Sequence, residues 1–250
     1  CLPSGKLPNQ VNRVQYLQKL QSEKFDICII GGGASGAGCA LDAALRGFKV
    51  ALIEKDDFAS ATSSKSTKLI HGGVRYLEQA VNNFDLAQLK QVRHGLEERH
   101  IVIQNAPFLA HPLALLTPCN SWVEGCYYAI GLRIYDAFAK GDSLPKSRWI
   151  SKKEVLQRTT GLNPDLHSAV LYYDGQLDDA RYCMLLAKTA AEKGAIMANH
   201  LPLLGFEKDA QGKLLAAQVE DELSGEKFSI QARLFINCTG AHADFVRQQA

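Results

Sequence analysis

The sequence predicts an α/β fold whose parallel sheet begins near residue 25, and three consecutive segments carry this prediction. Residues 25–30 (FDICII) form a short apolar run, which is typical of a strand buried on both faces. From Ala34 to Arg46, small and apolar residues recur on one helical face, and Gly47 follows as a C-terminal cap. Residues 49–54 (KVALIE) form a second run of the strand type. Strand, glycine turn, helix and strand in this order predict a βαβ unit.

The composition is that of an ordinary globular protein and excludes several classes. Of the 250 residues, 46% are hydrophobic and 22% are charged, which excludes a disordered or collagen-like chain. The 28 basic and 26 acidic residues leave a formal net charge of +2. The protein therefore has no extended positive electrostatic field that would attract nucleic acid, and we expect no nucleic-acid partner. The seven cysteines contain no CxxC pair, so neither a disulfide framework nor a zinc site is predicted.

The remaining chain predicts a lead-in arm, a long loop, further helices and further strands. The arm covers residues 1–24, and residues 59–77, rich in hydroxyls and glycine, predict a loop that covers a ligand. Hydrophobic spacing predicts helices over 84–103, 122–140, 152–158 and 179–193, strands over 111–117, 169–174 and 235–238, and a three-stranded meander with turns at 209–212 and 224–225. The aromatic-rich helix at 122–140 either covers a core, which we favour because charges are sparse, or lies at a bilayer surface.

The glycine cluster after the first strand predicts a dinucleotide site. Residues 31–36 (GGGASG) fit GxGxxG, with Gly31 at the tight turn, Gly33 open to a pyrophosphate, and Gly36 where helix and strand pack closely. Glu54 ends the second strand about 20 residues later, where a carboxylate binds the ribose hydroxyls of adenosine and repels the 2′-phosphate of NADP. This pattern alone does not distinguish an FAD site from an NAD site. A late strand that ends at Thr239-Gly240 helps, because the end of that strand can reach the same dinucleotide.

Three segments together resemble the FAD-dependent, quinone-linked glycerol-3-phosphate dehydrogenases. They are residues 29–78, 172–181 and 236–244, and the most specific part is TSSKSTKLIHGGVRY at 62–76. The similarity runs from about residue 25 to the end. Members of that family are much longer, and this chain starts at Cys1 rather than Met and stops in what looks like a helix just begun. We therefore expect an N-terminal fragment of a longer protein.

The resemblance implies a fold and a reaction. The fold is an FAD-binding Rossmann-like domain (parallel sheet, βαβ) interleaved with an α+β substrate domain. After the arm, the FAD-binding domain would take residues 25–110 and 176–250, and the substrate or cap domain residues 111–175. The reaction oxidises sn-glycerol 3-phosphate to dihydroxyacetone phosphate, moves a hydride from C2 to flavin N5, and passes the electrons to a membrane quinone. The location would be the bacterial cytoplasmic membrane or the mitochondrial inner membrane.

The resemblance also implies site residues, and no metal ion is among its requirements. Arg75 and Tyr76 match a substrate-pocket pair, and the planar fork of Arg75 suits a doubly charged phosphate. His71 either acts as a base for the C2 hydroxyl or, as we favour, contacts the flavin. Asp178 and Asp179 are interpreted as a helix N-cap and first turn rather than as metal ligands. The residues expected to bind FAD are Gly31, Gly32, Gly33, Ser35, Gly36, Glu54, Lys55, Ser63, Ser64, Thr67, Lys68, His71, Gly72, Gly73, Thr239 and Gly240.

Two other functions are compatible with the sequence. One is another FAD-dependent oxidoreductase of the same fold, such as an amino-acid or hydroxy-acid oxidase. The other is a dinucleotide-binding module without catalytic activity. The sequence also leaves open whether the protein forms a homo-oligomer and whether it associates peripherally with a membrane.

Overall fold

The computed structural model describes residues 13–83, 85–139 and 144–250, and the chain divides into two compact units. The discontinuous unit combines the chain up to Ser66 with residues 179–250, and the inserted unit is residues 67–178. In chain order the elements are α1 (Arg13–Ser22), β1 (Phe25–Ile30), α2 (Ala34–Leu45), β2 (Val50–Ile53), β3 (Leu69–Ile70), α3 (Val74–Asn82), α4 (Leu86–Asn105), β4 (Ala110–Cys119), α5 (Trp122–Phe138), β5 (Arg148–Ser151), α6 (Lys152–Arg158), β6 (Ser168–Leu177), α7 (Asp179–Glu192), β7 (Ile196–Ala198), β8 (Leu203–Lys208), β9 (Leu214–Asp221), β10 (Glu226–Asn237) and α8 (Ala243–Gln249).

The discontinuous unit is built on a six-stranded sheet in the order β7-β2-β1-β10-β9-β8. The first four strands are parallel, which confirms the predicted βαβ unit and its α/β class, and the last three form the predicted antiparallel meander. The sequence predicted separate strands after residue 224 and at 235–238, and this division was wrong. A single strand, β10, pairs with β9 in its first half and with β1 in its second half.

Helices cover both faces of this sheet. On one face, alanines of α2 (Ala37, Ala40) and α7 (Ala187, Ala190) pack together, because small side chains let the two helices approach closely. On the other face, Leu20 of α1 is fully buried. The predicted arm therefore includes, from residue 13 onward, a helix packed in the core, while residues 1–12 lie outside the described part of the chain.

The inserted unit has an antiparallel sheet centred on β6. Such a sheet is in keeping with the α+β domain that the resemblance implies. The whole of β6 pairs with β4, and β3 and β5 pair with its two ends. Pro112 and Pro118 are tolerated in β4 because it is an edge strand, where a missing N–H breaks no ladder bond. No helix in the three described ranges is both long and apolar enough to cross a membrane.

The segment predicted as one loop over 59–77 contains regular structure, which corrects that prediction. Residues 69–70 pair with β6 as β3, and α3 begins at Val74. Because β3 belongs to the sheet of β6, the units divide after residue 66, whereas the sequence placed the boundary after residue 110. The second boundary lies after residue 178, close to the expected 175.

Candidate functional site

A cavity of about 850 Å³ lies in the discontinuous unit at the carboxyl ends of β1, β2 and β10. This is the edge of a parallel sheet where ligands bind in open α/β folds. Eight residues that the sequence assigned to cofactor binding line it: Gly31, Gly33, Ser35, Glu54, Lys55, Ser63, Thr239 and Gly240. Gly32, Gly36 and Ser64 are not among the lining residues.

The glycines at the end of β1 are required by close packing. Gly31 has φ of +106°, and a Cβ atom there would lie 2.5 Å from the carbonyl oxygen of Cys238. A Cβ atom at Gly36 would overlap the carbonyl oxygen of Gly31. Gly32 is buried under Glu54, whose Cβ would lie 2.8 Å from a Cβ at that position. Side chains at Gly31 and Gly36 would push β1, β10 and α2 apart.

The N-terminus of α2 faces this cavity. Gly33 occupies the N-cap in an extended conformation and supplies no capping side chain. The hydroxyl of Ser63 instead accepts a hydrogen bond from the Ala34 N–H at 2.9 Å. Because the first N–H groups of a helix have no intrahelical partner and carry the positive end of its dipole, this end suits an anionic group.

Glu54 stands at the cavity edge with its carboxylate fixed by the backbone. One oxygen accepts the Gly32 N–H at 2.6 Å and the other accepts the Asp56 N–H at 2.9 Å. A carboxylate has about four acceptor sites, so two hydroxyl donors can still bind to it. The arrangement links the glycine turn directly to the acid that follows β2.

The hydroxyl-rich turn at 62–66 is tied to α7. Asp179, buried in the first turn of α7, accepts hydrogen bonds from the Ser66 N–H at 3.0 Å and from the Ser66 hydroxyl at 2.7 Å. Asp179 thus lies in the first turn of the helix, as the sequence predicts, while its contact with Ser66 was not foreseen. Within residues 13–83, 85–139 and 144–250, no three His, Cys, Asp or Glu side chains form a group that could hold a metal ion.

The other sequence-assigned residues belong to the inserted unit. Lys68 adopts φ of +60°, and its carbonyl accepts the Leu177 N–H at 3.0 Å. Gly72 and Gly73 are buried, whereas Thr67, His71 and Tyr76 are exposed. Arg75 is in the first turn of α3, and its side chain lies outside the described part of the structure.

Several cavity residues were missed by the sequence analysis. They follow β7 or β10, or flank Ser63: Ala61, Thr62, Lys65, Leu201, Pro202, Leu203, Ala241, His242 and Phe245. The strand β7 pairs with β2, which brings the residues after it to the same edge as Glu54. The apolar run of residues 195–198 was the available signal, but the strand itself has only three residues, which are too few for a periodicity.

The model of the FAD dependent oxidoreductase family matches residues 26–250. The chain belongs to this family. The family confirms FAD, the cofactor predicted from the sequence, and it confirms the Rossmann-like fold class.

Relatives of this FAD dependent oxidoreductase chain match nearly all of it. A mitochondrial glycerol-3-phosphate dehydrogenase of Arabidopsis thaliana is 45% identical to this chain in an alignment 253 residues long. The alignment covers 98% of this chain and 40% of the Arabidopsis protein. The mitochondrial enzyme of Homo sapiens is 44% identical over 240 residues, 94% of this chain and 33% of its own. The chain thus spans between a third and two fifths of these relatives. A glycerol-3-phosphate dehydrogenase of Bacillus halodurans, solved with FAD, has a TM-score of 0.71 and 29% identity, covering 95% of this chain and 38% of that one.

The cavity residues fit the adenosine diphosphate half of FAD. Gly31 and Gly33 leave bare backbone at the turn, α2 directs its N-terminus to the cavity, and Glu54 supplies acceptors at its edge. Bare backbone, a positive helix end and a carboxylate are the three features that bind the diphosphate and the ribose of a dinucleotide.

Proposed function

We propose that the protein to which this chain belongs uses FAD to oxidise sn-glycerol 3-phosphate to dihydroxyacetone phosphate. The observation that carries this proposal is the extent of the similarity to the dehydrogenases. At 44–45% identity, the match to Arabidopsis thaliana and Homo sapiens covers 94–98% of the chain, so it includes the inserted unit as well as the cofactor cavity. Structures under 25% identical, such as a proline dehydrogenase and glycine oxidases, share only the fold.

In this proposal the discontinuous unit binds the cofactor through its glycine turn. Gly31 and Gly33 allow the diphosphate to approach the backbone at the N-terminus of α2, Gly36 lets this helix pack closely on the end of β1, and Glu54 accepts hydrogen bonds from the ribose hydroxyls. Ser63, which already binds the Ala34 N–H, holds the hydroxyl turn beside the same helix end. Thr239 and Gly240, at the end of β10, close the cavity from the neighbouring strand.

The segment from Thr67 to Tyr76 supplies the substrate and flavin contacts in this proposal. Bound FAD would accept the hydride that leaves C2 of the substrate. Arg75 would bind the phosphate dianion, and Tyr76 would donate a hydrogen bond to the substrate. His71 would contact the flavin or accept the proton of the C2 hydroxyl. The left-handed backbone of Lys68 supports a functional role for this segment, because such strain in a residue other than glycine clusters at ligand sites.

We further propose that the electrons pass to a membrane quinone and that the protein is peripheral to the mitochondrial inner membrane. The support is the mitochondrial naming of the relatives and the exposed face of α5. Leu132 and Tyr135 of this helix are buried, while Trp122, Tyr127 and Ile130 are exposed. Amphipathic aromatic side chains of this kind settle at a bilayer surface. The bacterial location has no support among these mitochondrial relatives.

The decisive experiment is anaerobic reduction of the complete, FAD-loaded protein. Addition of sn-glycerol 3-phosphate should bleach the oxidised flavin absorbance, and a soluble quinone should restore it. Glycerol, glycine and lactate serve as controls. Bleaching by an amino acid or a hydroxy acid alone would favour an oxidase of the same fold, and a flavin that none of these compounds reduces would favour a binding module without activity.

A further inference from the structure

A charged cluster is buried inside the inserted unit. The Arg99 guanidinium on α4 donates to the carboxylate of Asp174 on β6, and the two residues are 1% and 2% exposed. Tyr135 on α5 is equally buried, and its hydroxyl donates to the same carboxylate oxygen at 3.0 Å. Burial raises the pKa of Asp174, and Arg99 beside it offsets part of this effect.

The same tyrosine hydroxyl holds a segment of backbone. Its oxygen accepts a hydrogen bond from the Gly72 N–H at 2.7 Å. A tyrosine hydroxyl has one proton and acceptor lone pairs. Because the proton of Tyr135 is directed to Asp174, a lone pair is left to point at Gly72. The ion pair with Arg99 therefore orients the hydroxyl that binds the backbone.

Gly72 is confined from a second side by packing. A Cβ atom at this position would overlap the side chain of Leu96 and lie 3.2 Å from the Tyr135 hydroxyl oxygen. The next residue, Gly73, adopts φ of +81° and leads into α3 at Val74. A fixed position for Gly72 thus sets where the chain from residue 71 to residue 76 lies within the inserted unit.

We propose that Tyr135, oriented by the Arg99–Asp174 pair, is a positioning residue for the segment 71–76, which contains His71 and Arg75. The catalytic consequence rests on the proposed function, whereas the contact with Gly72 does not. A buried ion pair is a poor source of net stability, because desolvation of both charges opposes their attraction. The geometry that the pair imposes on Tyr135 explains its presence better than a gain in stability does.

The test is Tyr135→Phe in the complete, FAD-loaded protein, because this change removes one oxygen and keeps the ring that packs in the core. The amide of Gly72 should exchange with solvent deuterium about tenfold faster, as expected for loss of one buried hydrogen bond. The kcat/KM for sn-glycerol 3-phosphate should fall about 10- to 100-fold at unchanged FAD content, because displaced substrate groups lose their alignment. Arg99→Lys, which keeps the charge but loses the planar fork, should give a smaller change in both measurements.

Two control variants separate positioning from stability. Tyr128→Phe removes a hydroxyl from the exposed face of the same helix and should change neither measurement. Val155→Ala removes buried methyl groups from another cluster of the inserted unit, so it should lower the melting temperature without changing kcat/KM well below that temperature.

Each outcome decides the proposal. Unchanged exchange at Gly72 in Tyr135→Phe would overturn it, and so would faster exchange with an unchanged kcat/KM, since the cluster would then serve only the fold. If sn-glycerol 3-phosphate does not reduce the unmodified protein, the proposed function fails. The exchange of the Gly72 amide would still decide whether Tyr135 holds this segment.

Discussion

The first turn of α2 packs on the end of β1 so closely that a Cβ atom at Gly36 would overlap the carbonyl oxygen of Gly31. A carbonyl oxygen of the main chain cannot rotate away as a side chain can. The contact therefore couples the spacing of helix and strand to the shape of the cofactor cavity, which Gly31 lines.

Replacing Gly36 by Ala should weaken both the fold and FAD binding. Overpacking of this kind costs about 1–3 kcal/mol in unfolding free energy, and the shift of α2 moves the helix end that faces the cavity. Thermal unfolding of the apo-protein and titration with FAD, followed by flavin fluorescence, measure the two effects. Gly38→Ala is the matched control, because nothing lies within 4 Å of a Cβ there and alanine favours a helix by about 1 kcal/mol. Equal behaviour of the two variants would contradict the packing argument.

The parts of the fold that the sequence predicted are those with a local signal. The βαβ unit has apolar runs and glycines at fixed offsets, and helix α6 was predicted with its observed ends, residues 152–158. The helix α3 was missed because the hydroxyls and glycines before Val74 indicate a loop. The strand β7 was too short to show a period.

The buried cluster was missed for a different reason. Arg99 lies in a helix whose pattern assigns charged residues to the solvent, and Asp174 is the last residue of the strand predicted over residues 169–174, where no partner was assigned to it. Their contact joins positions 75 residues apart in the chain. No local pattern carries such a pairing, and only the folded structure shows it.

Glu54→Gln should weaken FAD binding. The change keeps one acceptor oxygen but places an amide donor against either the Gly32 N–H or the Asp56 N–H. Loss of hydrogen bonds to a charged group costs about 1–3 kcal/mol, which corresponds to a clear rise in the dissociation constant of FAD. The measurement is titration of the apo-protein with FAD. Asp42→Asn, on the exposed face of α2, is the matched carboxylate-to-amide control and should leave the affinity unchanged.

Acid should destabilise the discontinuous unit through Asp221. The Arg13 guanidinium, at 2.5 Å and 3.2 Å from the two carboxylate oxygens, lowers the pKa of Asp221 to about 2, with help from the Ser224 hydroxyl. Because the pKa is lower in the folded state than in the unfolded chain, the stabilisation is complete above about pH 4 and is lost as the pH falls toward 2. Its size is on the order of 2 kcal/mol.

Urea unfolding between pH 7 and pH 2 measures this contribution. Asp221→Asn should lower the unfolding free energy at pH 7 and flatten its decline below pH 4. The control is Asp244→Asn, which removes a carboxylate that is 85% exposed. A variant at position 221 with the same pH dependence as the unmodified protein would show that the ion pair does not contribute.

Arg75 is predicted to recognise the substrate phosphate. The phosphate is the group through which a three-carbon substrate can be bound most strongly. Binding energy from this remote dianion should therefore position C2 for reaction as well as hold the molecule. Arg75→Ala should therefore lower kcat along with affinity, with a loss on the order of 3–5 kcal/mol in kcat/KM if the pair is desolvated. Arg75→Lys keeps the charge without the planar fork and should retain part of the activity.

Steady-state kinetics of the complete protein with sn-glycerol 3-phosphate and with glycerol distinguish a phosphate anchor from other roles of Arg75. An anchor loses its effect when the phosphate is absent, so Arg75→Ala should reduce turnover of the phosphorylated substrate strongly and the already slow turnover of glycerol hardly at all. FAD content, read from the flavin absorbance, must stay normal in the variant. An equal loss with both substrates at normal FAD content would assign Arg75 to the flavin or to the fold, because a contact with the phosphate cannot affect a substrate that has none.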